Sequence, residues 1–336
     1  MIETWLTRTF SLDVPVIGAP MAGPGEGALA AAVSAAGGLG MVGVHAARSA
    51  DWIREQATVT SASGHAWGVG LMAWLLDQDD RQLDAAIDVR PSLVSVSFGG
   101  FEPYVDRLRE AGIPVAVQAG NVEEAVRAER VGVDLLVARG GEGGGHGRNE
   151  VGTLPLLQAV LDRVDVPVVA AGGIGTARGL AAVLAAGAVG AWVGTALLTT
   201  REAGTSARGR ARLLAANETS TAYGRVFDVA QRISWPSEYG GRALRNDYFD
   251  RWTDRLEELS SDEAAAAELS RARAEQDYDT AYLYAGQGVG LLSEERSVAD
   301  VLGDLGRAEE LLRRWSRQAR PPGEAARPPG EGPVDV

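Results

Sequence analysis

Eight short apolar runs, each followed by a segment with helical spacing, constrain the fold of this chain more than any other feature. A near-continuous apolar run is typical of a strand covered on both faces, and strand–helix repeats predict an α/β fold. Eight such repeats predict a (β/α)8 (TIM) barrel, with a doubly wound sheet as the alternative. The runs begin near Val14, Leu39, Trp67, Leu93, Pro114, Leu135, Pro167 and Ala191. The clearest helical segments are residues 28–36, 51–58, 123–130 and 177–186.

The chain after the eighth run divides into two further parts. Residues 1–200 are predicted to form the barrel, and residues 201–315 are too long for a final barrel helix. They read as mostly helical, for example over residues 262–284, and predict a C-terminal helical cap over the barrel mouth. Residues 316–336 repeat Ala-Arg-Pro-Pro-Gly-Glu. Such a Pro/Gly-rich stretch cannot form a core, which predicts a disordered tail.

The amino-acid inventory excludes several kinds of chemistry. The 336 residues include no Cys and no Lys, and only three His. There is therefore no thiolate nucleophile, no Cys metal site, no lysine Schiff base and no Walker lysine. A metal site built from several imidazoles is not expected either. An enzyme of this composition is expected to bind a cofactor that carries out the chemical step for which its side chains are unsuited.

Charge and hydropathy limit the classes of partner that the chain is expected to bind. The net charge of −13 argues against a nucleic-acid partner, because polyphosphates attract basic surfaces. We find neither a signal-peptide pattern at the N-terminus nor an 18-residue apolar run suited to a membrane span. These observations predict a cytoplasmic protein with a small-molecule ligand. The sequence does not determine the oligomeric state, and a homodimer is one of the states that it allows.

The end of the sixth run carries the most informative loop. Six of the eight residues from Gly140 to Gly147 are glycine, and the run includes His146. Glycine loses the most entropy on ordering, so this pattern predicts a backbone pressed against a flat or anionic ligand. Barrel chemistry lies where strands end, which makes His146 the candidate catalytic residue. His45 and His65 lack such surroundings and are interpreted as structural or surface residues.

The loops after runs seven and eight predict a phosphate site. Such loops, with their free N–H groups and a helix N-terminus, hold phosphate in many barrels without any lysine. A flavin mononucleotide (FMN) fits, with its phosphate there and its ring across the mouth. Backbone and amide groups of the other strand ends then contact the ring. The candidate phosphate residues are Gly172, Gly173, Ile174, Gly194 and Thr195, and the candidate ring contacts are Ala19, Pro20, Met21, Gln118 and Gly144.

At this point several motifs together resemble the nitronate monooxygenases (2-nitropropane dioxygenases) and their flavin-dependent enoyl-reductase relatives, over about residues 10–315. The carrying motifs are Pro15-Val16-Ile17-Gly18-Ala19-Pro20-Met21, Gly144-Gly145-His146-Gly147, Ala171-Gly172-Gly173-Ile174, Gly194-Thr195 and Tyr284-Ala285-Gly286-Gln287-Gly288. The resemblance implies an FMN-dependent barrel that oxidises alkyl nitronates with O2 to carbonyl compounds and nitrite. It also implies that His146 acts as a base on a neutral nitroalkane or orients a nitronate.

Two of the departures from the family pattern bear on the predicted site. The family's third strand has an Asn where this chain has Gly70, so that Met72 is left to offer mainly backbone to the flavin. Before the histidine loop stands Arg139, for which we favour a salt bridge with Glu142 over a role in attracting an anionic substrate. These departures leave the substrate open.

Two other functions compete with nitronate oxidation, and a third is excluded. One is an NAD(P)H-dependent flavin oxidoreductase acting on a quinone or enoyl group, for which we see no second dinucleotide site. Another is a barrel that binds flavin or a phosphate ligand without turnover. A purine-nucleotide dehydrogenase of the barrel type is excluded by the missing Cys nucleophile.

Overall fold

A closed parallel barrel forms the body of the molecule in the computed structural model, which describes residues 2–318. Each barrel strand pairs with the next one along the chain, and a parallel bridge between Ile17 and Leu39 joins the first strand to the second. The predicted (β/α)8 barrel is therefore confirmed, and the doubly wound alternative is wrong. The barrel strands are β1 (Val16–Gly18), β2 (Gly40–Gly43), β3 (Trp67–Met72), β4 (Leu93–Ser97), β5 (Val115–Ala119), β6 (Leu135–Arg139), β8 (Val168–Ala171) and β9 (Gly190–Val193). Strand β7 (Gly145–Gly147) lies outside the barrel.

Helices form an outer layer, and their polar N-caps mark where several of them begin. The side chains of Ser49, Asn121 and Thr176 each accept a hydrogen bond from the first turn of the helix that follows. Such caps satisfy N–H groups that have no partner within the helix. The helices up to strand β9 are α1 (Trp5–Phe10), α2 (Gly27–Ala35), α3 (Ala50–Ser61), α4 (Ala73–Leu76), α5 (Arg81–Val89), α6 (Glu102–Glu110), α7 (Val122–Val131), α8 (Thr153–Leu161) and α9 (Ala177–Ala185).

The barrel interior is closed at the end where the strands begin. Leu6 and Phe10 of α1 join the cluster of strand side chains that fills the barrel, such as Met41 and Trp192. Leu6 is fully buried, and a Cβ on Gly190 would lie 2.6 Å from its Cδ2. Because α1 seals this end, a ligand can enter the barrel only from the opposite one, where the strands end.

The segment after β9 contains strands as well as helices, so the mostly helical prediction is right only in part. Strands β10 (Thr221–Gly224) and β11 (Gly240–Leu244) form an antiparallel sheet with β7. The helix predicted over residues 262–284 ends at Glu275, where Gln276 takes a left-handed conformation. The helices of this part are α10 (Ala207–Leu214), α11 (Val226–Gln231), α12 (Asp247–Trp252), α13 (Leu256–Ser261) and α14 (Glu263–Glu275).

Two final helices return to the outside of the barrel. Helix α15 (Val298–Gly306) packs against α2 and α9, and α16 (Ala308–Gln318) packs against α9. They complete the helical layer beside β1. The first three residues of the predicted tail, 316–318, are thus helical, and residues 319–336 lie outside the described residues. Within residues 2–318, no helix has the length and apolar character needed to cross a membrane.

Candidate functional site

Most site residues predicted from the sequence lie at or just beyond the end of a barrel strand, while Gly144 and His146 lie farther along the loop that follows β6. The structure brings most of them to one side of the mouth, around β1, β8 and β9. A Cβ on Gly194 would lie 3.4 Å from Ala19 Cβ and 3.5 Å from Met21 Sδ. Pro20 packs on Gly70 of β3, where a Cβ would meet the proline ring at 2.4 Å. Met72 is the last residue of β3 and Gln118 is the penultimate residue of β5, and both are half-buried.

The loop after β8 has the geometry of an anion site. Gly172 and Gly173 take positive φ angles of 111° and 69°, which turn the chain sharply into α9. Within residues 2–318, the N–H groups of Gly173, Ile174 and Gly194 donate to no protein acceptor. Free N–H groups beside a helix N-terminus attract an anion such as phosphate.

A segment near the C-terminus covers this loop. The Gly286 N–H donates to Thr195 Oγ1 over 3.0 Å, and the Gln287 N–H donates to the Glu142 carbonyl over 2.9 Å. A Cβ on Gly288 would lie 3.6 Å from the backbone of Gly173. The segment from Ala285 to Gly288 therefore joins the candidate phosphate loops to the histidine loop.

The glycine-rich loop after β6 wraps around a buried guanidinium. Arg139 donates to the carbonyls of Gly143, Gly144, Gly145 and Arg148 over 2.7–3.3 Å. A Cβ on Gly147 would lie 2.5 Å from Arg139 Cζ. Part of the glycine content is thus explained by Arg139 rather than by a ligand.

The predicted salt bridge between Arg139 and Glu142 is wrong. The Glu142 carboxylate instead accepts hydrogen bonds from the N–H and the hydroxyl of Thr153, at the start of α8. Arg139 turns to main-chain carbonyls because the loop folds back over its side chain. Burial lowers the pKa of Arg139 to about 10, so the group keeps its charge at neutral pH.

His146 lies on β7 and is held on three sides. Its Nε2 lies 2.8 Å from Oδ1 of Asp228 on α11. The imidazole stacks on the Trp235 ring at 3.8 Å with an interplanar angle of 5°, and the Tyr284 ring lies 5.2 Å away. Only 11% of the His146 side chain and 2% of the Asp228 side chain are exposed. Asp228 and Trp235 are not recognisable from the sequence, because no local pattern marks them as partners of a residue more than 80 positions earlier.

Aromatic side chains extend the wall beside His146. Trp74 and Phe98 contact the Trp235 ring at centroid distances of 5.2 and 5.3 Å, and Tyr239 contacts Phe98 at 5.4 Å. Phe98 has a φ of 69°, a left-handed conformation that is uncommon for a bulky residue. This apolar wall can pack against the carbon skeleton of a small substrate.

Tyr284 beside His146 and the more distant His45 both have shifted pKa values. Burial, the Asp228 carboxylate and Tyr282 raise the pKa of Tyr284 well above its ordinary value, so its phenol stays neutral. His45, just after β2, is half-buried, and burial lowers its pKa, while His65 is exposed. Within the described part of the chain, no cluster of three or more His, Asp or Glu side chains could hold a metal ion.

Comparisons with known proteins agree with this architecture. A family model described as nitronate monooxygenase matches residues 62–307, more than half of the chain. A probable nitronate monooxygenase of Staphylococcus aureus (strain JH9) is 31% identical over 266 residues, which cover 66% of this chain and 75% of that protein.

Two solved structures extend the likeness to nearly the whole chain. The nitroalkane oxidase of Streptomyces ansochromogenes is 30% identical with a TM-score of 0.77, covering 91% of this chain and 99% of its own. FabK from Thermotoga maritima is 27% identical with a TM-score of 0.83, covering 95% of this chain and 100% of its own.

Proposed function

The chain belongs to the nitronate monooxygenase family, a family of oxidoreductases, and from this premise we propose that it is an FMN-dependent enzyme of cytoplasmic location that oxidises alkyl nitronates with O2 to carbonyl compounds and nitrite. The observation that carries the proposal is the placement of His146. Its imidazole lies beside the open end of the barrel, with a buried carboxylate behind it and an apolar wall next to it.

The residues of the mouth suit FMN. The unpaired N–H groups of Gly173, Ile174 and Gly194 and the N-terminus of α9 would hold the phosphate, with Gly172 and Thr195 shaping the two loops. The ring contacts would come from the strand ends on either side of the mouth, namely Ala19, Pro20, Met21, Met72, Gln118 and Gly144. When bound, FMN supplies the redox chemistry, since it can accept electrons from an organic anion and pass them to O2.

His146 supplies the acid–base chemistry in this proposal. For a neutral nitroalkane, the imidazole takes the proton from the carbon next to the nitro group, and the electron pair moves onto the nitro group. For a substrate that is already a nitronate, the same imidazole orients the anion by a hydrogen bond. General-base catalysis of this kind typically contributes about 10²–10⁴-fold to a rate.

The first test is spectroscopic. Purified protein, alone or with added FMN, should show the flavin absorbance bands, and a protein that binds no flavin would overturn the proposal. The flavin-bound protein is then mixed anaerobically with a nitronate or with NADPH. Bleaching by the nitronate supports the proposal, and bleaching by NADPH alone would favour an NAD(P)H-dependent oxidoreductase instead.

The second test assigns the role of His146. The substitution His146→Asn should lower kcat on a neutral nitroalkane by about 10²–10⁴-fold while FMN absorbance is retained. The exposed His65 provides a matched control, and His65→Asn should leave kcat unchanged. Full activity of His146→Asn on both nitroalkane and nitronate would contradict the assigned role. If the native protein binds FMN but oxidises neither substrate, the result would favour a barrel that binds flavin without turnover.

A further inference from the structure

We propose that Asp228 is a positioning residue that holds His146 with its proton on Nε2 and leaves Nδ1 as the nitrogen that meets the substrate. The catalytic consequence rests on the function proposed above, but the tautomer itself does not. The proposal starts from the hydrogen bond of 2.8 Å between His146 Nε2 and Asp228 Oδ1.

The direction of this hydrogen bond follows from the chemistry of its partners. A buried carboxylate needs donors, because an unpaired buried charge is costly. An ionised carboxylate only accepts, so Nε2 must carry the proton. The second polar neighbour of Asp228 is the buried Tyr284 hydroxyl, and Tyr282 and Arg273 are the further titratable groups around the pair.

The imidazole has little freedom to escape this arrangement. Trp235 covers one face of the imidazole in a parallel stack. The Tyr284 ring lies 5.2 Å from the imidazole at an interplanar angle of 55°. Within residues 2–318, Nδ1 of His146 has no hydrogen-bond partner, while part of the side chain stays accessible. With Nε2 occupied, Nδ1 is the nitrogen left with a free lone pair.

Asp228 reaches His146 because the barrel and the segment after it share a sheet. His146 on β7 faces Gly241 on β11 in the antiparallel register, and α11 with Asp228 packs against β11. The side chains meet although 82 positions separate them. The cap therefore supplies one half of the acid–base pair and the barrel loop supplies the other.

The pair accounts for the complete movement of the proton. The bond between the α-carbon of a neutral nitroalkane and its hydrogen breaks, and its electron pair moves onto the nitro group to give the nitronate. Nδ1 takes the proton, and the resulting imidazolium keeps its Nε2–H on Asp228. A carboxylate in this place stabilises the imidazolium and fixes the ring orientation, as in catalytic triads.

Nuclear magnetic resonance of protein labelled with 15N-histidine tests the tautomer without substrate. With three histidines in the sequence, the spectrum of the full-length protein is small enough to assign with His→Asn variants. Native His146 should show a protonated Nε2, shifted downfield by its carboxylate partner, and an unprotonated Nδ1. In Asp228→Asn the downfield proton should be lost and Nδ1 should gain protonation. A protonated Nδ1 in the native protein, or an unchanged spectrum in the variant, would overturn the proposal.

Kinetics with two substrates separates positioning from a structural role. Asp228→Asn should lower kcat on a neutral nitroalkane by about 10²–10⁴-fold, and lower kcat on a preformed nitronate by less than about tenfold. The exposed Asp254 gives the control, and Asp254→Asn should change neither rate. Equal losses on both substrates would contradict the proposal. If the native protein oxidises neither substrate, the proposed function fails and the tautomer measurement still decides the role of Asp228.

Discussion

Arg139 carries a buried positive charge, and within residues 2–318 its hydrogen bonds all go to main-chain carbonyls. Three of those carbonyls belong to the turn that leads to His146. The guanidinium thus supplies the hydrogen bonds that these loop carbonyls would receive from backbone N–H groups in a helix or a sheet. A lysine could not replace it, because one ammonium cannot reproduce the planar fork of donors.

Removal of this guanidinium should destabilise the protein strongly. Arg139→Met fills similar space but leaves the loop carbonyls without donors, so we expect the free energy of unfolding to fall by about 3–5 kcal/mol. Urea unfolding followed by circular dichroism measures the change. Arg81→Met, which removes an exposed partner of Asp79, serves as the control and should leave the stability nearly unchanged. Equal stability of the two variants would show that the loop does not depend on Arg139.

At the scale of elements, the segment from Ala285 to Gly288 makes a close contact that leaves no room for added bulk. A Cβ on Gly286 would lie 2.4 Å from the Glu142 carbonyl and 2.7 Å from the Gly144 nitrogen. Both neighbours are backbone atoms, which cannot move aside cheaply. Gly286→Ala should therefore push this segment away from the histidine loop and disturb its contact with the candidate phosphate loops, where the Gly286 N–H donates to Thr195 Oγ1.

The expected result is a loss of FMN affinity of at least about tenfold, which corresponds to 1.4 kcal/mol. Fluorescence titration of the protein freed of flavin measures the dissociation constant. Gly303→Ala is the matched control, because Gly303 is exposed on α15 and nothing lies within 4 Å of the added Cβ. That variant should bind FMN normally and gain roughly 0.5–1 kcal/mol of stability. Normal FMN affinity in Gly286→Ala would contradict the placement of the phosphate.

The elements that the sequence predicts well are those fixed by local pattern. The eight barrel strands are buried on both faces and read as apolar runs, so their starts lie within a few residues of the prediction. Strands β7, β10 and β11 were missed because five of their twelve residues are glycine and none of them contains a continuous apolar run. Such strands are specified by pairing with distant segments rather than by their own side chains.

The residues of the candidate site also fall into those that local sequence pattern specifies and those that contacts between distant segments specify. Glycines and His146 at the strand ends could be proposed from position alone, since the barrel fixes where strand ends meet. The partners of those residues could not. Asp228 and Trp235 reach His146 only through the β7–β11 pairing, and the Arg139 partners depend on how the loop folds back.

At the scale of the whole molecule, strand pairing and helix packing connect the barrel to the segment after it. The sheet of β7, β10 and β11 joins the two, and α15 and α16 return to pack on the barrel. Five of the seven tyrosines lie across both parts with raised pKa values, for which burial is the main cause in each case. They are Tyr104, Tyr239, Tyr248, Tyr282 and Tyr284. A pH titration that ionises all five tyrosines therefore reports on the barrel and on the segment after it together.

Alkaline pH should therefore unfold the protein in a single transition. A tyrosine whose pKa is raised in the fold contributes its full stability below the unfolded value of 10, and that contribution is lost as the pH rises toward the folded value, about 12 for Tyr248. Each such tyrosine changes the free energy of unfolding by at most about 1.4 kcal/mol per pH unit, so several buried phenols together should make the stability fall steeply above pH 10. Tyrosinate absorbance at 295 nm and circular dichroism should change together, and Tyr248→Phe should make the loss of stability with pH less steep. If tyrosinate absorbance instead rose fully near pH 10 with the circular dichroism unchanged, the five phenols would be accessible and the two parts would not share one buried structure.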